Sequence, residues 1–251
     1  MLAVEQLKFR TPVLRVNDRQ QNIAFYQDVL GLRLVSEENA LAFFSDWGQQ
    51  TSHFTIEESP AYRTRQAQGR KKLRQLVLKA NQASEIEGLL ARDISVTQLF
   101  YGEKGYAFEV ISPQGDCILL HAENDVKQLR PISYEGHDWQ SQPNFKGLSA
   151  YQVEAIVLNV PDVKHAEDFY ALFDGQLPLT PTFVQRSGAD LTCEPNVTWD
   201  LEILEFTVSK DFDLLALKAY LESRQQNVYL DRAETVLSVS DNSRIDVWFR
   251  K

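Results

Sequence analysis

Apolar and polar positions along this chain change period in a repeating order. "TPVLRV" (11–16) is apolar and β-branched, with Pro12 near its start, and predicts a strand. Asp18 then fits a helix N-cap, with Gln21 three residues on to close a capping box. Ile23, Tyr26 and Leu30, flanked by Phe25 and Val29, form a broad apolar helical face. Gly31 ends that helix where a positive φ is often required. "LRLVSE", "ALAFFSD" and "HFTIEE" follow as short strands, so the first unit reads βαβββ.

The same order returns three times. "LRQLVLKA", the helix "ASEIEGLLAR", then "SVTQLFY", "YAFEVI" and "CILLHA" make a second unit. "LEILEFTV", the helix "DFDLLALKAYLESR", then "NVYLD", "TVLSVS" and "RIDVWF" make the last. The third unit opens with "AIVLNV", Asp162 as cap, and Ala166, Phe169, Tyr170 and Phe173 on one helical face before Gly175. Only "LTPTFVQ" and "ADLTCE" then read as strands where three are expected. The first and third units repeat in register at an offset of 144, sharing Val13/Val157, Leu14/Leu158, Val16/Val160, Asp18/Asp162, Phe25/Phe169, Tyr26/Tyr170 and Gly31/Gly175. Paired Phe-Tyr at helical spacing predicts core packing. The reading is an α+β chain of four βαβββ units in two tandem domains, 1–124 and 149–251, with the polar stretch 125–148 as linker and the third unit shortened.

Composition narrows the function classes. Of 251 residues, 43% are hydrophobic, enough for a sizeable core. The net charge of −9 argues against wholesale nucleic-acid or anionic-membrane binding. The start "MLAVEQLKFR" lacks the pattern of a secretory signal, and no apolar run approaches a membrane helix, so the expected location is cytoplasmic. Surface exposure or secretion by a non-classical route stays open. Two cysteines, Cys117 and Cys193, argue against a disulfide framework.

The phrase "VLRVNDRQQNIAFYQDVLGLRL", its second copy, and "FEVISPQGDCILL" with its Pro-x-Gly turn before a strand resemble the vicinal oxygen chelate superfamily of glyoxalases, bleomycin-resistance proteins and extradiol dioxygenases. That resemblance implies U-shaped mixed sheets, each formed by two units around a cup that usually holds a divalent metal and a small substrate. Length, tandem organisation and the opening "RTPVLRVNDR…NIAFYQDVLGLRLVSEENALA" resemble more narrowly the CppA family, described as C3-degrading proteinases. Complement C3 is then the implied partner.

The resemblance also says where metal ligands should fall, and this chain departs from it. Counting seven residues back from each helix cap reaches Thr11, Arg74 and Ala155, with Ile203 or Leu204 in the fourth unit. On the closing strands the positions are Leu119 and Asp246, of which only Asp246 has suitable chemistry. His53, Glu57 and His121 form an alternative set of ligand-binding candidates, His121 falling on the same strand face as Leu119. No cofactor is expected, with a divalent metal as the less favoured alternative. Protease signatures are equally missing: there is no His-Glu-x-x-His, Gly-x-Ser-x-Gly or Asp-Thr/Ser-Gly, and Cys117 lies in an apolar strand.

"YRTRQAQGRKKLR" (62–74) reads as a mobile basic connection, either solvated or collecting anions over the first cup, with Arg74 offering a guanidinium where relatives place a cation. Three functions stand side by side: action on a host protein, a metal-free binder of a small anionic or aromatic ligand, and a glyoxalase- or dioxygenase-like metalloenzyme. The expected small-ligand site is the cup of the N-terminal domain, built around Thr11, Arg74, His53, Glu57 and His121, with Asp246 marking a second cup, narrowed or filled.

Overall fold

The structure, a computed structural model, describes residues 7–49 and 53–251. The first unit comprises β1 (Leu7–Val16), α1 (Arg19–Asp28), β2 (Arg33–Glu38), β3 (Leu41–Ser45) and β4 (Phe54–Glu58). The second comprises β5 (Leu73–Ala80), α2 (Ala83–Leu90), β6 (Gln98–Tyr101), β7 (Tyr106–Ile111) and β8 (Cys117–His121), and is followed by β9 (Arg130–Ile132). The third has β10 (Tyr151–Val160), α3 (Val163–Ala171) and β11 (Thr182–Gln185). The fourth has β12 (Leu201–Val208), α4 (Leu214–Ser223), β13 (Val228–Leu230), β14 (Val236–Ser240) and β15 (Asp246–Arg250).

Local chemistry sets the helix ends. The Asp18 carboxylate accepts from the Gln21 N–H at 2.9 Å, and Asp162 accepts from the His165 N–H at 3.0 Å. Gly31 has φ 67°, and the Leu32 N–H then reaches back six residues to the Tyr26 carbonyl at 2.9 Å, closing the turn that ends the helix. A Cβ on Gly31 would sit 2.8 Å from Leu89 Cδ2, so helix end and neighbouring unit are fitted together there. Tyr26 and Tyr170 are buried, Tyr26 tilted against Phe44 and Phe54, and Tyr170 against Phe183.

The strands form two mixed sheets, ordered β13-β14-β15-β12-β1-β4-β3-β2 and β11-β10-β5-β8-β7-β6-β9. Each sheet is shared between the halves of the chain. β1 runs antiparallel to β12, from Leu7 opposite Val208 to Leu14 opposite Leu201. β5 runs antiparallel to β10, from Ala80 opposite Tyr151 to Leu73 opposite Leu158. Unit one thus closes with unit four, and unit two with unit three. The expectation that each half closes its own cup is corrected: the free edge of each opening strand is satisfied by an opening strand from the other half.

Four further points differ from the sequence reading. β11 pairs parallel to β10, as β4 does to β1, so the third unit keeps its outer strands' arrangement and lacks the two between. "ADLTCE" forms turns: Leu191 is fully buried there, and Asp190 accepts from Arg65 and the Gln68 N–H. The linker is in part packed, since β9 pairs with β6 and Leu148 exchanges backbone hydrogen bonds with Trp47 and Gly31. The basic stretch is tied down: Arg65 grips Asp190 with two 2.7 Å bonds, Lys71 pairs with Asp116, and buried Lys72 donates to the Cys193 carbonyl at 2.9 Å.

Candidate functional site

Alternation along the central strands of the eight-stranded sheet turns Thr11 and Val13 of β1, Thr55 and Glu57 of β4, and Ile203 and Glu205 of β12 to one concave face. An irregularity between Phe9 and Thr11 brings Arg10 onto the same face. Leu41 and Phe43 from β3, Glu38 from β2, and Trp248 and Arg250 from β15 complete a cavity of about 460 Å³. That is within the size range of small-molecule sites.

One end of this cup is cationic. Arg10 Nη1 lies 2.8 Å from Glu205 Oε1, and Arg250 Nε lies 2.9 Å from the same oxygen, though off the N–H direction. One carboxylate therefore answers two guanidiniums. Trp248 stands opposite Glu205 with the Arg250 guanidinium 5.7 Å from its ring, and its Nε1 is buried without a hydrogen-bond partner among the described residues. Thr11, opposite Glu205 on the other side, donates to the Pro12 carbonyl at 2.7 Å and lies 3.2 Å from the Thr55 hydroxyl.

The other end is anionic. Arg15 is buried and donates to Glu202 and Asn196, each at 2.6 Å, and to Glu57 at 3.3 Å. Burial pushes the Glu57 carboxyl up, the Arg15 charge pulls it partly back, and Glu202 pushes it up again. Between the ends lie Val13, Phe43, Leu41 and Ile203, an apolar floor.

The residues expected from sequence are divided differently. Thr11 and Glu57 share this cup, and Asp246 lies in the same sheet, opposite Ile203 and accepting from the Ser240 hydroxyl at 2.6 Å. Asp246 is therefore not the mark of a separate cup. Arg74 is in the other sheet, exposed at a β-irregularity that leaves it between the Gln75–Val157 and Leu73–Leu158 pairs. His121, fully buried in β8, has Nε2 2.8 Å from Glu154 in poor hydrogen-bond alignment, and its Nδ1 accepts from the Glu123 N–H. Burial lowers its pKa, against the pull of Glu154. His53 precedes β4, its ring edge-on to Tyr151, and burial lowers its pKa too. His53, Glu57 and His121 do not come together as one site, because they belong to different sheets or face different partners.

The fold family implies a divalent metal, and the residues here do not fit one. Among the described residues no three His, Cys, Asp or Glu side chains converge. Thr11 stands at a ligand position, and Glu205 beside it is already held by two guanidiniums that would repel a cation. Cys117 lies with Gln75 and Glu109, and burial followed by Glu109 pushes its thiol up to about 12, so thiolate is scarce at neutral pH.

Arg10, Glu205, Trp248 and Arg250 were missed from sequence. Strand alternation in "LEILEFTV" and "RIDVWF" does place Glu205 and Trp248 on inward positions. What was hidden is the pairing of β12 with β1, which alone shows that these residues meet Thr11.

The chain matches the CppA N-terminal family over residues 9–132 and the CppA C-terminal family over 148–249. It resembles the crystal structure of the cppA protein from Streptococcus pneumoniae, with a TM-score of 0.82 and 31% identity over 98% of both chains. A Bacillus subtilis protein assigned as a dioxygenase has a TM-score of 0.60 and 14% identity, over 98% of this chain and 85% of that one. Glyoxalase I from Zea mays has a TM-score of 0.58 and 12% identity, over 98% and 92%. These two share the fold alone. No curated protein matches in sequence. With both family regions matched in order, and a cppA structure aligned end to end, the chain belongs to the CppA family and carries the vicinal oxygen chelate fold.

Proposed function

We propose that this CppA-family chain binds a small organic molecule, without a metal ion, in the cup of the eight-stranded sheet. The observation that supports this is the Trp248 indole N–H, buried in the wall of the 460 Å³ cavity with no acceptor among the described residues. A buried donor left unpaired costs about 1–3 kcal/mol, which a ligand acceptor would recover once a small turn of the Trp248 ring opens its N–H to the cup. Arg10 and Arg250, sharing Glu205, offer charge to the same acceptor, and Val13, Leu41 and Phe43 suit an aromatic or aliphatic body. The test is a calorimetric screen of carboxylic acids and aromatic metabolites, repeated on Trp248→Phe. A hit should bind roughly 10-fold more weakly to that variant, the loss of one hydrogen bond of about 1.4 kcal/mol. A screen whose hits all ignore Trp248→Phe would remove the reading.

A second reading is favoured by the family itself: action on complement C3, by cleavage or by binding. The side chains give cleavage little support. The Cys117 thiol is held protonated, and the His121 Nδ1 already accepts a backbone hydrogen bond. Incubating the purified chain with C3 separates the alternatives. Discrete C3 fragments carry the proteinase reading, intact C3 that co-elutes with the chain carries binding alone, and intact C3 that elutes separately removes both.

A further inference from the structure

We infer that the ligand of this cup is a short peptide with both termini free, its carboxylate at Arg10 and Arg250 and its ammonium at Glu57 and Glu38. The inference rests on the cup being a binding site and adds the class of molecule it takes.

The two ends of the cavity carry opposite surpluses. At one, Glu205 is a single carboxylate between two guanidiniums, and the contact with Arg250 is poorly aligned. One positive charge there is left for a ligand, beside the free indole N–H of Trp248. At the other, the Arg15 charge is taken first by Glu202, at 2.6 Å with both side chains nearly buried. Glu57 is the distant partner at 3.3 Å, is more exposed, and lines the cavity together with Glu38. Negative charge there is left over, and the upward push on the Glu57 carboxyl is the cost that an incoming ammonium would relieve.

The spacing selects the ligand's length. Thr11 and Arg15 mark the two ends along β1, four residues apart, or roughly 13 Å at a strand's rise. The side chains reach inward from those points. An extended tripeptide spans about 10 Å between its terminal groups, which fits. A free amino acid is too short to touch both ends. The floor between them is apolar with the Thr55 hydroxyl in it, as a peptide with one large apolar central side chain requires.

Titration calorimetry on the full chain tests this with Ala-Phe-Ala, its N-acetyl derivative and its C-terminal amide. The free peptide should bind saturably, and each cap should weaken binding 10-fold or more. Glu57→Gln should shrink the penalty for acetylation several-fold, leaving only what Glu38 supplies, and keep that for amidation. Arg250→Gln should do the reverse. The capped peptides on the unaltered chain keep the test decisive should a variant misfold. Equal binding of capped and free peptides, or no binding of Ala-Phe-Ala, overturns the inference. The cup itself then survives where an organic acid from the screen still binds and loses affinity in Trp248→Phe, and falls with the inference where none does.

Discussion

Asp241 shows how single side chains join the units at a cost. It is buried, accepts from the Ser243 and Ile245 N–H groups at 2.8 and 2.9 Å, and takes the Tyr170 hydroxyl at 3.1 Å. Burial outweighs these bonds and pushes its carboxyl up to about 6, from the usual 3.8. Between those two values the native chain holds a proton that the unfolded chain has released. Stability from this residue therefore falls as pH rises from about 4 to 6, by up to about 3 kcal/mol, and stays low above. Asparagine keeps the carbonyl that accepts from Ser243 and Ile245. Subtracting the urea-unfolding profile of Asp241→Asn from that of the native sequence should leave a downward slope between pH 4 and 6. A flat difference would mean that the buried carboxyl is not destabilised. Asp200, also buried and pushed up, contributes with the same sign to both chains and cancels in the subtraction.

At the scale of elements, alternation and capping were legible. "LRQLVLKA", "YAFEVI" and "LEILEFTV" coincide with β5, β7 and β12, because those strands have one face in the core and their apolar residues mark it. Legibility failed where a polar side chain organises backbone. "ADLTCE" has a strand-like pattern, yet Leu191 is a plug and Asp190 an anchor for the basic strap. The same anchor explains why a stretch rich in Arg and Lys is not mobile. Two of its charges, Arg65 and Lys71, are paired across the chain, with the Arg65 guanidinium and the Gln68 N–H holding the Asp190 carboxyl below the usual carboxylate range, the guanidinium bond being the larger cause. Asp190→Ala should release the strap. Trypsin should then cut at Arg63 to Lys72 several-fold faster than in the native chain, with the far-ultraviolet circular dichroism unchanged. An unaltered cutting rate would show that the backbone contacts of Arg65 with Val197 and Trp199 hold the strap alone.

For the whole molecule, four units can be counted from the sequence, but their pairing cannot, because the opening strands β1, β5, β10 and β12 all present an apolar edge of similar length. Register at β1–β12 and β5–β10 is a long-range choice set by how the units pack, and local patterns carry little information about it. That choice decides the site: with unit one beside unit four, Thr11 and Glu57 meet Trp248 and Arg250, whereas Arg74 and His121 fall in the other sheet. It also makes the halves interdependent, since both sheets cross from one half to the other. The exposed stretch 140–144 lies outside every strand and can carry an inserted protease site. After cleavage there, the two fragments should still co-elute at the size of the intact chain in native buffer, joined by two antiparallel ladders, and should part only in denaturant. Trp248→Phe-sensitive ligand binding should persist in the nicked complex and vanish when the fragments are separated. Fragments that elute natively as two independent folded pieces would show that each half closes its own sheet and that the cup between units one and four does not form.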